Sequence, residues 1–257
     1  MTDFNLNMHT ARLLMQEPFF ASLSRRIDKT PTTSIPTAGV CINPERQQFE
    51  MLYNPEFFAQ LSDEHKLGVL MHEFYHIIFE HITKRKPDTG LRRIDNIAMD
   101  LAINGLPELQ GKLPCEKDPG PLMPSGEHLK GCLPGEGPFK DLPAGKSYEW
   151  YLQELERMQE EHQQEQGEQG QGGESQDGEG GEGGSSDPFG GADSLDDHDQ
   201  FGEVDGTSEE IAKERLKEAV KKAAEDAQKA RNWGSVSQSV RRDIMNKIQT
   251  KVDWRKV

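Results

Sequence analysis

The sequence predicts an α+β protein that is mainly helical, with a small β-sheet, a disordered acidic linker and two C-terminal helices. Apolar residues recur at helical spacing in residues 64–84, which predicts one long buried helix. Residues 37–42 and 48–53 are short strand candidates, and the turn-forming residues 43–46 between them predict a hairpin. Residues 158–206 are too polar to bury a core, so this tract predicts a linker.

The charge of the chain is concentrated in that linker. The 257 residues include 30 Lys and Arg against 45 Asp and Glu, a net charge of −15. Residues 158–206 contain fifteen of the acidic residues and no Lys or Arg, so the remainder balances at 30 against 30. We therefore expect a folded domain at 1–157, a self-repelling linker at 158–206 and a helical segment at 207–257. Such a linker does not bind nucleic acid.

Four further helices are predicted, over residues 5–27 with an interruption near Pro18, 148–159, 207–232 and 237–249. Ser147 is the expected N-cap of the second, and Thr207 opens a capping box for the third. The last two helices have too few apolar residues to form a core alone, so we expect them to pack on the domain at 1–157 or on a partner. Residues 106–146 hold eight of the fifteen prolines and predict a long ordered loop or lid.

The chemistry-bearing motif lies inside the predicted helix 64–84, where His72, Glu73 and His76 form an HExxH sequence. Histidines four residues apart lie on one face of a helix, so both imidazoles can reach a single metal ion. Glu73 is placed to act as general base toward an attacking water. The alternative is a pair of hydrogen-bonded core histidines, but a glutamate buried beside them without a partner would be costly.

The ends of this helix carry the expected signals. Ser62 is a predicted N-cap, with acidic residues in the first turn. Residues 84–86 are basic and would lie at the C-terminal end, where the helix dipole favours positive charge, and Pro87 would then end the helix.

A catalytic zinc site needs a third protein ligand, for which the sequence offers two candidates. His81 lies five residues after His76, roughly 140° further round a continuous helix, and would point away from the metal. Residues 93–104 predict a second helix with a polar stripe, on which Asp100 could supply a carboxylate while Asn96 or Asn104 orients a ligand. The alternative is a solvated face, but a stripe without Lys, Arg or Glu is a poor solvent face.

Four motifs follow one another along the chain, namely Thr37-Ala38-Gly39-Val40, Tyr53-Asn54-Pro55-Glu56-Phe57-Phe58, His72-Glu73-Phe74-Tyr75-His76 with His81, and residues 96–104. Together they resemble the putative metallopeptidase domain of bacterial and phage proteins, often found ahead of a von Willebrand A-like domain. The resemblance covers about residues 11–150. It implies a zincin-like fold, a zinc-dependent peptidase and, in such folds, an edge strand that pairs with a peptide substrate. The hairpin at 37–53 is the candidate for that strand. In relatives a segment like 207–257 leads into the von Willebrand A-like domain, which is not part of this sequence.

Two functions are compatible with these residues. In the first, His72, His76 and Asp100 hold Zn²⁺, Glu73 is the base, a peptide or protein is the substrate, and Tyr148 or Tyr151 is a second donor. In the second, the chain is a non-catalytic metal-binding adaptor that works with a MoxR-type AAA ATPase, a partner implied by the resemblance. The same ligands would also accept Mn, Fe or Co.

The acidic stretch at residues 193–201 could itself be a metal site, with Asp196, Asp197 and His198 as ligands. It also supports a hypothesis that rests on the resemblance. Its Asp196, Asp197 and His198 resemble a segment that recurs at this place in the family. His198 would then fold back as an internal inhibitor at the open metal position, and deleting residues 187–206 would raise activity. The alternative is a solvated end of the linker.

The remaining features concern location. The three cysteines, Cys41, Cys115 and Cys132, show no CxxC pairing and fit a reduced compartment. The N-terminus lacks the pattern of a signal peptide, and no apolar stretch is long enough to span a bilayer. We therefore expect a cytoplasmic protein without a membrane segment.

Overall fold

The computed structural model describes residues 4–81, 83, 92–123, 126–169, 188–189 and 205–248, with side chains of 165–169 excepted. These residues form eight α-helices, namely α1 (Leu6–Leu13), α2 (Pro18–Ser24), α3 (Pro55–Gln60), α4 (Asp63–Ile78), α5 (Arg93–Asn104), α6 (Tyr148–Gln169), α7 (Gly206–Lys229) and α8 (Gln238–Ile248). They also form one sheet of three strands, namely β1 (Asp28–Pro31), β2 (Ala38–Asn43) and β3 (Gln48–Tyr53). The predicted α+β class, mainly helical with a small sheet, is confirmed. Among these described helices none has the length and apolar character to cross a bilayer.

The sheet has the order β1-β3-β2. The predicted hairpin is confirmed, because β2 and β3 pair antiparallel with Val40 opposite Met51. Strand β1 runs parallel to β3 and was not predicted, since its sequence DKTP has no apolar alternation and is half-buried to exposed. The predicted break near Pro18 is also found: α1 ends in a 3₁₀ turn, and α2 begins at Pro18, where a missing N–H costs little.

Helix α4 starts as predicted and ends earlier than predicted. The Ser62 hydroxyl accepts a hydrogen bond from the His65 N–H at 3.1 Å. The helix ends at Ile78, six residues before the predicted end, because Glu80 adopts the left-handed conformation (φ 61°). The His81 N–H then bonds to the His76 carbonyl and the Glu80 N–H to the Ile77 carbonyl, which is the Schellman arrangement. Residues 84–87, expected at the helix end, lie outside the described residues.

Helix α6 is longer than predicted. It runs to Gln169 instead of about Gln159, so the first residues of the predicted linker, 158–169, are helical. They are rich in Glu and Gln, which are good helix formers. Of the rest of the predicted linker, only Pro188 and Phe189 belong to the described residues before 205, and Phe189 is buried with its ring stacked on Phe139.

The segment between α5 and α6 is irregular, as predicted for residues 106–146. Its described residues form two 3₁₀ turns, Pro107–Leu109 and Gly137–Phe139, and one bridge between Leu122 and His128.

The two C-terminal helices belong to the main core. Helix α7 packs against α2 and β3, and α8 packs against α7. The Trp233 ring stacks on Phe19 at 5.3 Å, and the Ser22 hydroxyl donates to Asp226 at 2.7 Å. We expected these helices to pack either on the domain or on a partner, and in the structure they pack on the domain. The N-cap of α7 is Asp205, which accepts from the N–H groups of Thr207 and Ser208, and not Thr207 as predicted.

Gly68 marks the closest approach between α4 and the long loop. A Cβ built there would lie 1.8 Å from the Lys112 carbonyl oxygen. Gly68→Ala therefore lowers the melting temperature, although alanine is the better helix former by about 1 kcal/mol. Thermal unfolding followed by circular dichroism measures this. Gly206→Ala, at the open start of α7, is the matched control and should leave the melting temperature unchanged or raise it, since nothing lies within 4 Å of its Cβ. An unchanged melting temperature in Gly68→Ala would contradict the packing.

Candidate metal centre

The HExxH residues and the predicted carboxylate ligand meet where α4 packs on α5. His72 and His76 lie one turn apart on α4, and Asp100 lies on α5. All three side chains are fully buried, and so is Glu73. The predicted second helix has the bounds of α5, and its polar stripe of Asn96, Asp100 and Asn104 is buried and not solvated.

Three side-chain atoms converge at this contact. The Nε2 atoms of His72 and His76 are 3.1 Å apart. Asp100 Oδ1 lies 3.6 Å from Nε2 of His72 and 3.4 Å from Nε2 of His76. Zinc binds such atoms tetrahedrally with bonds of about 2.0–2.2 Å, so two ligand atoms are then about 3.3–3.6 Å apart. The His72–His76–Asp100 triangle is close to these spacings, and its two imidazoles and one carboxylate fit a zinc ion in donor chemistry as well.

Asn104 orients His72 from the far side of its ring. Its amide nitrogen donates to the Cys132 carbonyl at 2.9 Å, which turns the amide oxygen toward His72. That oxygen lies 2.8 Å from Nδ1 of His72 and can only accept, so the proton is on Nδ1 and the Nε2 lone pair faces the triangle. The predicted orienting position is thus occupied by Asn104. Asn96 is also buried, but among the described residues its amide oxygen accepts no hydrogen bond.

His81 does not point away from the site, contrary to the prediction. The angular argument assumed a continuous helix, whereas α4 ends at Ile78 and the left-handed Glu80 reverses the chain. Nδ1 of His81 therefore lies 3.3 Å from Nδ1 of His76, the ring nitrogen directed away from the triangle. Its place beside His76 corresponds to that of Asn104 beside His72, on the side of the ring away from the triangle.

The two tyrosines proposed as second donors are directed elsewhere in this structure. The Tyr148 hydroxyl donates to Asp95 Oδ1 at 3.3 Å, and burial, followed by the charge and hydrogen bond of Asp95, raises the pKa of Tyr148 to about 12. The Tyr151 hydroxyl donates to the Pro143 carbonyl at 2.7 Å. The Tyr148 ring nevertheless lies 5.9 Å from the ring of His81, so it borders the site.

Asp95 is a residue near the site that sequence reasoning missed. Burial alone would raise its pKa, but hydrogen bonds from Arg92 outweigh that effect and hold the pKa below its usual value. Nε of Arg92 donates to Asp95 at 2.8 Å. A charged Asp95 then holds the Tyr148 hydroxyl. The available signal was the Arg92 to Asp95 spacing at the start of α5, where the Asp95 carboxylate also accepts from the Arg92 backbone N–H at 2.9 Å.

The C-terminal segment reaches α4 at two places, through Glu108 at Tyr75 and directly at Ile78. The Tyr75 hydroxyl donates to Glu108 Oε1 at 2.6 Å, and the Ser237 N–H donates to the same oxygen at 3.2 Å. Nζ of Lys247 donates to the Ile78 carbonyl at 2.9 Å. The position of α4 is therefore coupled to residues more than 150 positions later in the chain. This coupling left no local signal in the sequence.

The remaining predicted segment, with Asp196, Asp197 and His198, lies outside the described residues. The inhibitory role of His198 stays a prediction.

A family model described as a putative metallopeptidase domain matches residues 4–257. No curated protein and no solved structure matches the chain.

Proposed function

The chain belongs to the putative metallopeptidase domain family, and on that premise we propose that it is a zinc-dependent peptidase. The observation that carries the proposal is the buried His72–His76–Asp100 triangle, whose three ligand atoms lie 3.1–3.6 Å from one another. A zinc ion held there would activate water and polarise a carbonyl oxygen. Mn, Fe or Co would fit the same donor set, so zinc is part of the proposal.

The residues of this chain divide the remaining work. Glu73 follows His72 directly on α4 and is fully buried, so its carboxylate sits in the low-dielectric surroundings in which a proton acceptor is effective. In the proposed reaction it takes the proton of the attacking water and passes it to the leaving amine. Asn104 and His81 hold the two imidazoles from behind, which fixes the direction of each ligating nitrogen.

The proposed substrate is an extended peptide or protein segment. Strand β2 is an outer strand of the sheet and packs against α4. An outer strand beside α4 can pair with a substrate strand through main-chain hydrogen bonds, which supports the substrate role proposed for the hairpin.

A second candidate function is a non-catalytic metal-binding adaptor. The observation that favours it is the complete burial of all four side chains, since a catalytic centre has to open to admit a peptide. A structural site would use the same triangle and would not need Glu73. The association with a MoxR-type AAA ATPase and a cytoplasmic location stay predictions.

Metal removal tests the proposal against the adaptor. We expect the purified chain to cleave members of a mixed peptide library, detected by mass spectrometry. Chelation should stop cleavage, and added Zn²⁺ should restore it. Circular dichroism recorded alongside separates loss of chemistry from loss of fold, because binding energy at a buried site also stabilises the fold. A chain that holds metal, stays folded and cleaves no peptide would favour the adaptor.

A further inference from the structure

A groove on the opposite edge of the sheet from β2 has the features of a binding site. It has a volume of about 450 Å³, within the range of protein ligand sites, and β1 provides three of its lining residues, Asp28, Lys29 and Thr30. Helix α1 provides others, among them Thr10 and Ala11. None of the metal-site residues lines it.

The wall formed by β1 is an open strand edge. In the described part of the chain β1 pairs with β3 alone, because the sheet order is β1-β3-β2. An edge strand presents unpaired N–H and C=O groups at the spacing that an extended peptide can match. The groove therefore favours an extended segment over a compact small molecule.

The groove carries an excess of positive charge in a chain whose net charge is −15. Its lining includes Arg25, Lys29 and Arg46 but a single carboxylate, Asp28. That carboxylate already accepts from Arg46 at 2.6 Å and from the Gln48 amide at 2.7 Å. The positive charge that is not paired with Asp28 is therefore carried mainly by Arg25 and Lys29.

Lys29 is poorly solvated and can accept an anionic neighbour. Its Nζ donates to the carbonyls of Ser24 at 2.6 Å and Ile27 at 2.9 Å, and an ammonium group has a third N–H. Burial lowers the pKa of Lys29 to about 8, with the charge of Asp28 opposing the effect. A carboxylate brought close would stabilise the charged form that burial disfavours.

Two exposed apolar side chains lie on α1 and in the 3₁₀ turn after it, outside the groove lining. Met8 and Met15 are each 77% exposed, and they lie three and four residues from Ala11 in the groove wall. Exposed methionines adapt to varied side chains and are common at peptide-binding surfaces.

We propose that this groove binds an extended, acidic segment of another protein, which adds to β1 as a strand and places carboxylates against Arg25 and Lys29. The site is independent of the proposed peptidase activity. Acidic residues at every second position suit it, because alternate side chains of a strand lie on one face and would all be directed toward the cations.

Fluorescence anisotropy on the full-length chain tests the proposal with a labelled peptide of alternating Glu and Val, capped at both ends. We expect it to bind more tightly than the peptide with Lys in place of Glu, and more weakly as salt is raised. Arg25→Glu should weaken binding about tenfold. Arg12→Glu, an exposed arginine on α1 outside the groove lining, is the matched control and should change it less than about twofold.

Amide NMR shifts locate the bound peptide. Residues 28–30 should shift and residues 38–43 of the other outer strand should not. Equal binding of both peptides, no effect of Arg25→Glu, or shifts on β2 instead of β1 would overturn the proposal. Binding seen only after the acidic residues of 165–187 are neutralised would assign the groove to the chain's own acidic tract, and would overturn the assignment to another protein.

Discussion

Glu73→Gln is expected to lower the rate of peptide cleavage by about 10²–10⁴-fold while leaving the metal content unchanged. The amide keeps the size and shape of the carboxylate but cannot take a proton from water. Glu73 is not a member of the metal-binding triangle, so the ligands His72, His76 and Asp100 are untouched. The measurement pairs kcat on a cleaved peptide with metal content on the same preparation.

Glu64→Gln is the matched control for this substitution. Glu64 lies on the first turn of the same helix and is exposed, so the same chemical change should leave kcat within about twofold. A Glu73→Gln variant with full activity would contradict the assigned base. A variant that loses its metal together with its activity would instead assign Glu73 a role in holding the site.

Removal of residues 205–257 is expected to abolish cooperative folding of the remaining chain. The deletion takes away the buried side chains of Trp233, Val236, Val240 and Ile244, which share one core with Phe19 and Phe74. Each such side chain contributes about 1.5–3 kcal/mol, and the total approaches the whole stability of a typical domain, about 5–15 kcal/mol. Circular dichroism and binding of a hydrophobic dye would then report a chain without fixed packing.

A cleaved chain is the matched control for the deletion. A protease site inserted near residue 175 and cut after purification breaks the covalent link but leaves α7 and α8 present. The two fragments should stay together in gel filtration, because the contacts of α7 with α2 and β3 do not depend on the link that is cut. A deletion variant with a native melting temperature would contradict the shared core.

The meeting of His72, His76 and Asp100 could be predicted because its signals are local. The i, i+4 spacing of His72 and His76 fixes their common face. The polar stripe of α5 has no Lys, Arg or Glu, which indicates that it does not face solvent. The residues behind the ligands were harder to predict. Asn104 was predicted as an orienting residue, but its acceptor is the Cys132 carbonyl, which only tertiary packing brings near.

The errors have related physical causes. The end of α4 was predicted too late. The residue in left-handed conformation that ends a helix is usually a glycine, which is visible in a sequence, but here it is Glu80. The same error misdirected the prediction for His81. Strand β1 was missed because its side chains show no apolar alternation. Its extended conformation comes from pairing with β3, which no local pattern predicts.

Metal content is the most direct test of the central claim that His72, His76 and Asp100 hold a metal ion. Inductively coupled plasma mass spectrometry would be applied to protein purified without added metal, as wild type, His72→Ala and Asp100→Ala. Asp63→Ala, an exposed acid on α4, is the control. We predict about one zinc per chain in the wild type and the control, and its loss in both site variants. Zinc retained in Asp100→Ala, or no metal in the wild type, would contradict the claim.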